Sequence, residues 1–431
     1  MKISKRYQRE SALDKQTILP ATGNKKPRLF YGYIIVLIGF ATMLIMHGLL
    51  YSFGVFLKPV SAEFGWTRAM TSGAYSMSLF VLGLFYIITG RLNDRFGPRI
   101  VTTACGFLLG LGYLLMSQVN ALWQLYLFWG LLVGIGIGGG WVPMISTVAR
   151  WFVKRRGMMT GIVAAGVGLG TITVPPVASW LISSYDWRTS FLVIGITALA
   201  LLILAAQFLK RDPSAIGQLP YGKNEANKDN LTSDATGLSL REASHTKQFW
   251  MLCTLLLFTY ISKLTIMVHI VPHATDLGIS PMLSASILAT IGGLSIVGRI
   301  GIGGISDRVG GKSTLIICFI LLSATLFWLQ LAKEVWMLYL FAITFGFSTG
   351  GLATLESPVI AEFFGLKAHG AILGVITFVA CTGGAISSLM AGHIFDITGS
   401  YYSIFWIFAV LAITSLILVS LLKPTRKENL R

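Results

Sequence analysis

SASILATIGGLSIVGRIGIGGISDRVGGK, residues 284–312, is an apolar run followed by a polar, glycine-rich end. One charged residue, Arg299, interrupts the apolar part, and Asp307 lies in the polar end. At about 1.5 Å per helical residue, Arg299 is roughly 12 Å from Asp307 along a helix. Because the hydrocarbon core of a bilayer is about 30 Å thick, this distance puts Arg299 near mid-membrane. A charge at that depth costs about 2.5–3.5 kcal/mol on insertion scales, so we expect an anionic partner for it.

The composition of the whole chain supports a membrane protein. Of its 431 residues, 54% are hydrophobic and 12% are charged, whereas soluble domains carry about 25% charged residues. The net charge of +17 would suit a nucleic-acid-binding protein, but the basic residues lie mostly in short segments between apolar runs. In such segments they set the orientation of membrane helices. We therefore predict a protein of the lipid bilayer without a nucleic-acid partner.

Twelve apolar runs are long enough to cross a bilayer as helices, six on each side of a polar segment at 210–247. The runs are 30–57, 69–90, 99–116, 122–149, 157–183, 189–209, 249–275, 282–304, 313–331, 336–363, 368–394 and 401–422. This pattern predicts an all-α membrane protein with twelve transmembrane helices.

The distribution of Lys and Arg predicts the orientation. Basic residues concentrate in the N-terminal tail, in the central polar segment, in the C-terminal tail and in alternate loops, such as the one that contains Arg91, Arg95 and Arg99. Since such segments stay on the cytoplasmic side, we expect both termini to be cytoplasmic. The expected location is the plasma (inner) membrane, with several passes.

The two halves of the chain repeat each other. The sequence GRLNDRFGPR at 90–99 aligns with GGISDRVGGK at 303–312, so that Asp94 and Arg95 correspond to Asp307 and Arg308. An internal duplication of six helices accounts for this match. It predicts a cytoplasmic tail at 1–28, a six-helix half at 29–209, a cytoplasmic linker at 210–247, a second six-helix half at 248–422 and a tail at 423–431.

The paired G-x-x-x-D-R-x-G-x-[KR] segments resemble the signature of the major facilitator superfamily. In that superfamily the segments latch the two halves together and help to gate alternating access, so the resemblance implies a gating role for Asp94, Arg95, Asp307 and Arg308. The glycines permit tight turns, and each aspartate lies where it can accept bonds from backbone amides or a neighbouring arginine.

A narrower resemblance is to the monocarboxylate transporters and the oxalate:formate antiporters. The segments at 151–166 and 186–191 resemble the first group, and the segments at 365–367 and 396–401 resemble the second. Arg299 matches the helix 8 arginine that binds the substrate carboxylate in these families. The aspartate that precedes this arginine by four residues in animal monocarboxylate transporters is Ser295 here. The helix 11 lysine of oxalate transporters has no counterpart in 368–394, which favours a monoanionic substrate.

Arg299 is the leading substrate-binding candidate, because its planar guanidinium fits a carboxylate. The alternative is a structural partner for an internal acid such as Glu356. Trp141, near mid-depth in the fourth run, either lines the substrate cavity or packs between helices. His47 and Tyr51, spaced i and i+4 in the first run, are further candidates for the cavity wall.

The seventh run carries the candidates for proton coupling. His269, His273 and Asp276 are spaced i, i+4 and i+7 and therefore share a face, on which His269 can also contact substrate. The alternative is that these side chains meet water and lipid headgroups at the interface. Lys263 lies near mid-helix on another face, where it can carry a proton or pair with Glu356.

We therefore predict a secondary transporter of small monocarboxylates, lactate- or pyruvate-like, that moves its substrate with a proton. The sequence leaves open an exchanger of organic anions and, in another class, a non-transporting membrane sensor. No metal-ligand spacing, nucleophile motif or phosphate loop is present, so we expect neither an enzyme nor a metal or cofactor. The expected partners are a small organic anion and a proton; a monomer suffices, and the sequence does not fix the oligomeric state.

Overall fold

The computed structural model describes residues 30–66, 68–222, 237–398 and 400–422. Within them, twelve helices are long and apolar enough to cross a membrane. They are α1 (Gly32–Phe64), α2 (Arg68–Phe96), α3 (Pro98–Met116), α4 (Leu122–Trp151), α5 (Arg156–Ser184), α6 (Trp187–Gln207), α7 (Lys247–Asp276), α8 (Pro281–Val309), α9 (Gly311–Leu331), α10 (Val335–Phe364), α11 (His369–Thr398) and α12 (Tyr402–Leu421). The predicted all-α class and its twelve spans are confirmed.

Several helices continue beyond the apolar runs that predicted them, and α2 and α8 do so through the repeated motif. The sequence predicts that the second and eighth spans end at Gly90 and Gly304, whereas α2 reaches Phe96 and α8 reaches Val309. Polar residues can extend a helix past the apolar core because its backbone hydrogen bonds need no apolar side chains. Gly97 and Gly310 then follow with φ angles of +81° and +87°, a conformation that glycine adopts without strain. Both motif aspartates therefore lie in a last helical turn.

The fourth span is not a regular helix throughout. A π-helical segment occupies Tyr126–Val133, and a turn at 138–140 separates it from the regular segment Trp141–Trp151. The turn frees the carbonyl of Gly138, which accepts a hydrogen bond of 2.8 Å from Thr89 Oγ1 of α2. A glycine-rich sequence adopts such a turn readily, and a neighbouring helix supplies the partner that a bilayer cannot. Trp141 is therefore the first residue of a new helical segment.

Helix pairs from the two halves pack against each other at equivalent places. α2 packs against α11, and α8 packs against α5. Because the sequence repeat relates α2 to α8 and α5 to α11, these two contacts correspond to each other. Within the halves, α1 packs on α5 and α10 packs on α8. The interior between the halves is therefore bordered mainly by these helices together with α4 and α7.

The described ends of the linker pair with the turns that follow α4 and α10. Tyr221 forms a backbone bridge with Phe152, and Gly237 forms one with Gly365. A short helix, Leu240–Ser244, begins at Ser239, whose side chain accepts the amide of Glu242. The predicted tails at 1–28 and 423–431 and the linker residues 223–236 lie outside the described residues.

Candidate functional site

Arg299 is carried by α8 into the interior, where it is 6% exposed. Its NH1 donates a hydrogen bond of 2.5 Å to the backbone carbonyl of Ala164 on α5. A Cβ at Gly161 would collide with the Arg299 carbonyl, so the two backbones approach closely here and the guanidinium reaches across. Its Nε has no hydrogen-bond partner among the described residues. The guanidinium, which has five N–H donors, therefore retains donors for a further acceptor.

The carboxylate of Glu356, on α10, is held at both oxygens by neutral donors. Trp141 Nε1 donates to Oε2 at 3.2 Å, and the Tyr260 hydroxyl donates to Oε1 at 3.2 Å. Glu356 is 4% exposed. Since Trp141 belongs to α4 and Tyr260 to α7, this buried acid connects helices of both halves.

Lys263 lies one turn after Tyr260 on α7. Its Nζ is 5.5 Å from the centroid of the Tyr260 ring, and it interacts electrostatically with both Arg299 and Glu356. In the described part of the chain, neither cation comes within 4 Å of a Glu356 oxygen as an ion pair. We call Arg299, Lys263, Glu356, Trp141 and Tyr260 the central cluster. It combines two cations with one acid.

Aromatic side chains of the N-terminal half face the central cluster. The Trp141 ring centroid is 6.0 Å from Arg299 Cζ, within the range of a cation–π contact. The His47 ring meets Trp141 edge-on, with centroids 6.2 Å apart. Tyr51, one turn further along α1, is 42% exposed and interacts electrostatically with Arg299. The structure thus brings together the sequence candidates Arg299, Trp141, His47, Tyr51 and Lys263.

The histidines of α7 lie against α12. His269 Nδ1 is 3.2 Å from the Tyr401 hydroxyl, and the His273 ring packs edge-on against Phe405 at 4.9 Å. Both are buried, whereas Asp276, the last residue of α7, is exposed. The spacing predicts a shared face, and the structure shows that the two histidines on it pack against α12 rather than within the central cluster.

The two motif aspartates each cap a helix of the opposite half. Asp94 accepts the amides of Gly370 and Ala371, at 3.1 and 3.0 Å, in the first turn of α11. Asp307 accepts the amides of Gly157 and Met158, at 2.7 and 2.9 Å, in the first turn of α5. A helix N-terminus favours an anion because its free N–H groups and its dipole point toward the charge. We call these contacts the Asp94 latch and the Asp307 latch.

The arginines of the motif do not take part in these bonds. Arg95 is exposed and lies over the Phe96 ring at 5.1 Å, and Arg308 is exposed as well. The buried Arg150 instead donates to Asp94 at 2.8 Å. The sequence does not single out Arg150 or Tyr260, because each acquires its role from a residue far away in the chain.

The sequence of this chain matches the family model of the Major Facilitator Superfamily at residues 29–321 and 252–431. "Monocarboxylate transporter 13" of Rattus norvegicus is 29% identical over 377 residues, which cover 87% of this chain and 85% of the relative. "Monocarboxylate transporter 12" of Mus musculus is 25% identical over 424 residues, 92% of this chain and 86% of the relative. "Uncharacterized MFS-type transporter YhjX" of Escherichia coli (strain K12) is 28% identical over 338 residues, 76% of this chain and 80% of the relative.

Solved structures share the fold. The proton:xylose symporter XylE, bound to 6-bromo-6-deoxy-D-glucose, superposes with a TM-score of 0.74 at 14% identity, covering 90% of this chain and 95% of XylE. The Escherichia coli fucose:proton symporter FucP superposes with a TM-score of 0.69 at 13% identity, covering 92% of this chain and 100% of FucP. The family model spans nearly the whole chain, including both latch sequences. The chain belongs to the Major Facilitator Superfamily and is therefore a multi-pass membrane transporter rather than an enzyme.

Proposed function

We propose that the protein transports small monocarboxylates such as lactate and pyruvate, together with a proton, by alternating access. The observation that carries this proposal is the buried guanidinium of Arg299, whose Nε has no partner within the described residues. A substrate carboxylate supplies the missing acceptor and the missing charge. The names of the relatives, monocarboxylate transporters 12 and 13, point to the same substrate class.

The substrate carboxylate binds Arg299 at mid-membrane, and Trp141, His47 and Tyr51 form the opposite wall. An unpaired charge is costly in a region of low dielectric constant, and a bound carboxylate removes that cost. Binding therefore favours a state in which the two halves enclose the substrate. The halves at 29–209 and 248–422 then rock about the central cluster, joined by the linker at 210–247.

The latches close one end of this pathway. The Asp94 and Asp307 latches join the halves through helix N-termini, and we assign Arg95 and Arg308 to the same gate. The excess of Lys and Arg at this end, and in both tails, favours the cytoplasmic side of a plasma membrane. With both latches formed, the conformation is closed toward the cytoplasm.

The coupling proton is carried by a residue of α7 or by a neighbouring residue of the central cluster. Lys263, His269 and Asp276 are the candidates on α7. Lys263 is the one that interacts electrostatically with Arg299, the proposed substrate ligand. His269 and Asp276 lie toward α12 and the helix end, where they serve a proton path rather than the carboxylate.

Lactate uptake into proteoliposomes tests this function. With an inward proton gradient, we expect accumulation of radiolabelled lactate by the wild type and a loss of at least about tenfold in Arg299→Lys, because an ammonium does not reproduce a bidentate guanidinium contact. Arg241→Lys, at an exposed position of the short helix Leu240–Ser244, is the matched control and retains wild-type uptake. Unchanged uptake in Arg299→Lys and Arg299→Ala contradicts the role of Arg299. Uptake that depends on internal anion and not on the proton gradient identifies an exchanger instead.

A further inference from the structure

Glu356 is the one acidic side chain that is buried among the described residues. Charged or titratable groups face it from four other helices: Lys263 and Tyr260 on α7, Arg299 on α8, Cys381 on α11 and Tyr86 on α2. The α9 side contributes the apolar Leu315 and Phe319 to the groove beside it. The acid is thus enclosed, and two cations surround it without a direct ion pair.

We propose that Glu356 carries the coupling proton, and that its carboxylate and the substrate carboxylate compete for Lys263. This inference rests on the proposed function and names the proton site that the function requires. From the sequence, Glu356 is expected only as a structural counter-ion for Arg299 or Lys263. The position of Glu356 near both cations means that its protonation state determines how much positive charge is available to bind the substrate.

The competition follows from the number of charges in the central cluster. When Glu356 is ionised, it offsets one of the two cations, and only Arg299 is left for the substrate. When Glu356 takes a proton from water, an O–H bond forms on the carboxyl and Lys263 loses its counter-charge. A partly buried ammonium at mid-membrane depth is costly without a counter-charge, so the substrate carboxylate binds more tightly beside it. Proton and anion therefore bind cooperatively, and each raises the affinity for the other.

The same count explains why a monoanion moves with a single proton. Lys263, Arg299 and ionised Glu356 together carry one positive charge. One proton and one monocarboxylate add charges that cancel, so the loaded cluster carries one positive charge again. The empty and the loaded transporter then cross with the same central charge, and neither crossing requires an extra buried charge.

Trp141 and Tyr260 hold the acid in place through this cycle. Their hydrogen bonds of 3.2 Å to the two carboxyl oxygens involve neutral donors on two different helices. A protonated carboxyl keeps lone pairs that can accept such bonds. Glu356 can therefore lose its attraction to Lys263 without leaving its position, and the proton returns to water when the pathway opens on the other side.

The test measures lactate binding to purified protein by calorimetry between pH 5 and pH 8.5. In the wild type we expect affinity to fall above the midpoint by up to about tenfold per pH unit, the limit for linkage to one proton, until it reaches the weaker affinity of the ionised form. Glu356→Gln, which mimics the protonated acid, binds lactate with an affinity that does not change with pH. In proteoliposomes this variant exchanges internal for external lactate, but a proton gradient no longer drives accumulation.

Three further variants keep the test decisive. Glu334→Gln makes the same substitution at the exposed residue that precedes α10 and keeps the wild-type pH dependence. Glu356→Asp retains a carboxyl group and with it proton-driven accumulation. If Glu356→Gln does not fold, Lys263→Gln tests the same exchange. Protonation of Glu356 then no longer frees Lys263, so this variant binds lactate more weakly and its affinity changes less with pH than that of the wild type.

The outcomes separate this inference from the proposed function. A Glu356→Gln protein that binds lactate with the wild-type pH dependence overturns the assignment of the proton to Glu356 and leaves monocarboxylate transport intact. A Lys263→Gln protein with the full wild-type pH dependence overturns the competition for Lys263. A wild-type protein that binds neither lactate nor pyruvate at any pH overturns the proposed function itself.

Discussion

Trp141 contacts both signs of charge in the central cluster. Its Nε1 donates to Glu356, and its ring faces the Arg299 guanidinium with 6.0 Å between Cζ and the ring centroid. The indole thus interacts with both the acid and the cation. Trp141 therefore contributes both a hydrogen-bond donor and an aromatic face. Different substitutions at this residue can remove one without the other.

Trp141→Phe keeps an aromatic face toward Arg299, and Trp141→Ala removes it. A desolvated cation–π contact contributes on the order of 1–2 kcal/mol. We therefore expect Trp141→Ala to weaken lactate binding by roughly 5- to 30-fold relative to Trp141→Phe, at a pH where the wild type binds tightly. Calorimetry on the purified variants measures the difference. Equal affinities for the two variants would show that the face of Trp141 does not support the substrate site.

The residues of the central cluster differ in how far the sequence predicts them. Arg299 and Lys263 are charges at mid-depth in apolar runs, and depth alone marks them as costly and functional. The bond between Trp141 and Glu356 joins residues 215 positions apart, and no local pattern encodes it. The spacing of His269 and His273 gives their shared face, but the neighbour of that face depends on how α12 packs.

At the scale of the helices, the crossing of α5 and α8 depends on small residues. A Cβ at Gly303 would meet the carbonyl oxygen of Gly157, whereas no atom of another described element lies within 4 Å of a Cβ at Gly304. These adjacent glycines of α8 therefore have different roles: one allows two backbones to touch, and the other faces open space. The crossing lies next to the Asp307 latch, which needs the same close approach.

Gly303→Ala and Gly304→Ala form a matched pair. The added methyl at 303 meets backbone that cannot move aside without separating α5 from α8, and overpacking of this kind costs about 1–3 kcal/mol. We expect Gly303→Ala to lower the melting temperature of the protein and to increase the labelling of a cysteine placed in the pathway from the latch side. Gly304→Ala should match the wild type in both measurements. The same change in both variants would contradict the close packing at this crossing.

The helices themselves are largely predictable, because a bilayer forces every backbone group of a span to bond within the helix. Apolar runs therefore mark the spans, but α2 and α8 continue past their predicted ends at Gly90 and Gly304 and stop before Gly97 and Gly310. The turn at 138–140 in α4 is different. Its glycines are compatible both with close packing and with a broken helix. Which of the two forms depends on the Thr89 hydroxyl of α2, which donates a hydrogen bond to the Gly138 carbonyl.

At the scale of the whole molecule, the sequence repeat reappears as paired contacts between the halves. The Asp94 latch joins α2 to α11, and the Asp307 latch joins α8 to α5. The linker also touches equivalent places, since Tyr221 pairs with Phe152 after α4 and Gly237 pairs with Gly365 after α10. The repeat predicts that equivalent contacts exist, but which elements meet is determined by how the halves pack.

Loss of a latch should shift the balance between the conformation closed at this end and one that is open there. Each latch contains two hydrogen bonds from backbone amides to a carboxylate, and one such bond contributes about 1.5–3 kcal/mol. We expect Asp307→Ala to increase the open population by at least roughly tenfold. Asp94→Ala has the additional effect of removing the acid that pairs with the buried Arg150 at 2.8 Å, so its melting temperature should fall further. The double variant should open more than either single variant, because both latches hold the same two halves.

Distances between spin labels at the exposed Val153 and Lys367, measured by electron–electron double resonance, report this opening. Asp186→Ala is the control, since Asp186 caps α6 through Thr189 within one half and forms no bond across the interface among the described residues. It should leave the distance distribution unchanged. If the double latch variant keeps the wild-type distribution while the protein stays folded, the latches do not hold the halves together. Another contact, such as the bond from Trp141 to Glu356, must then close the pathway, and Trp141→Phe in the double variant would open it.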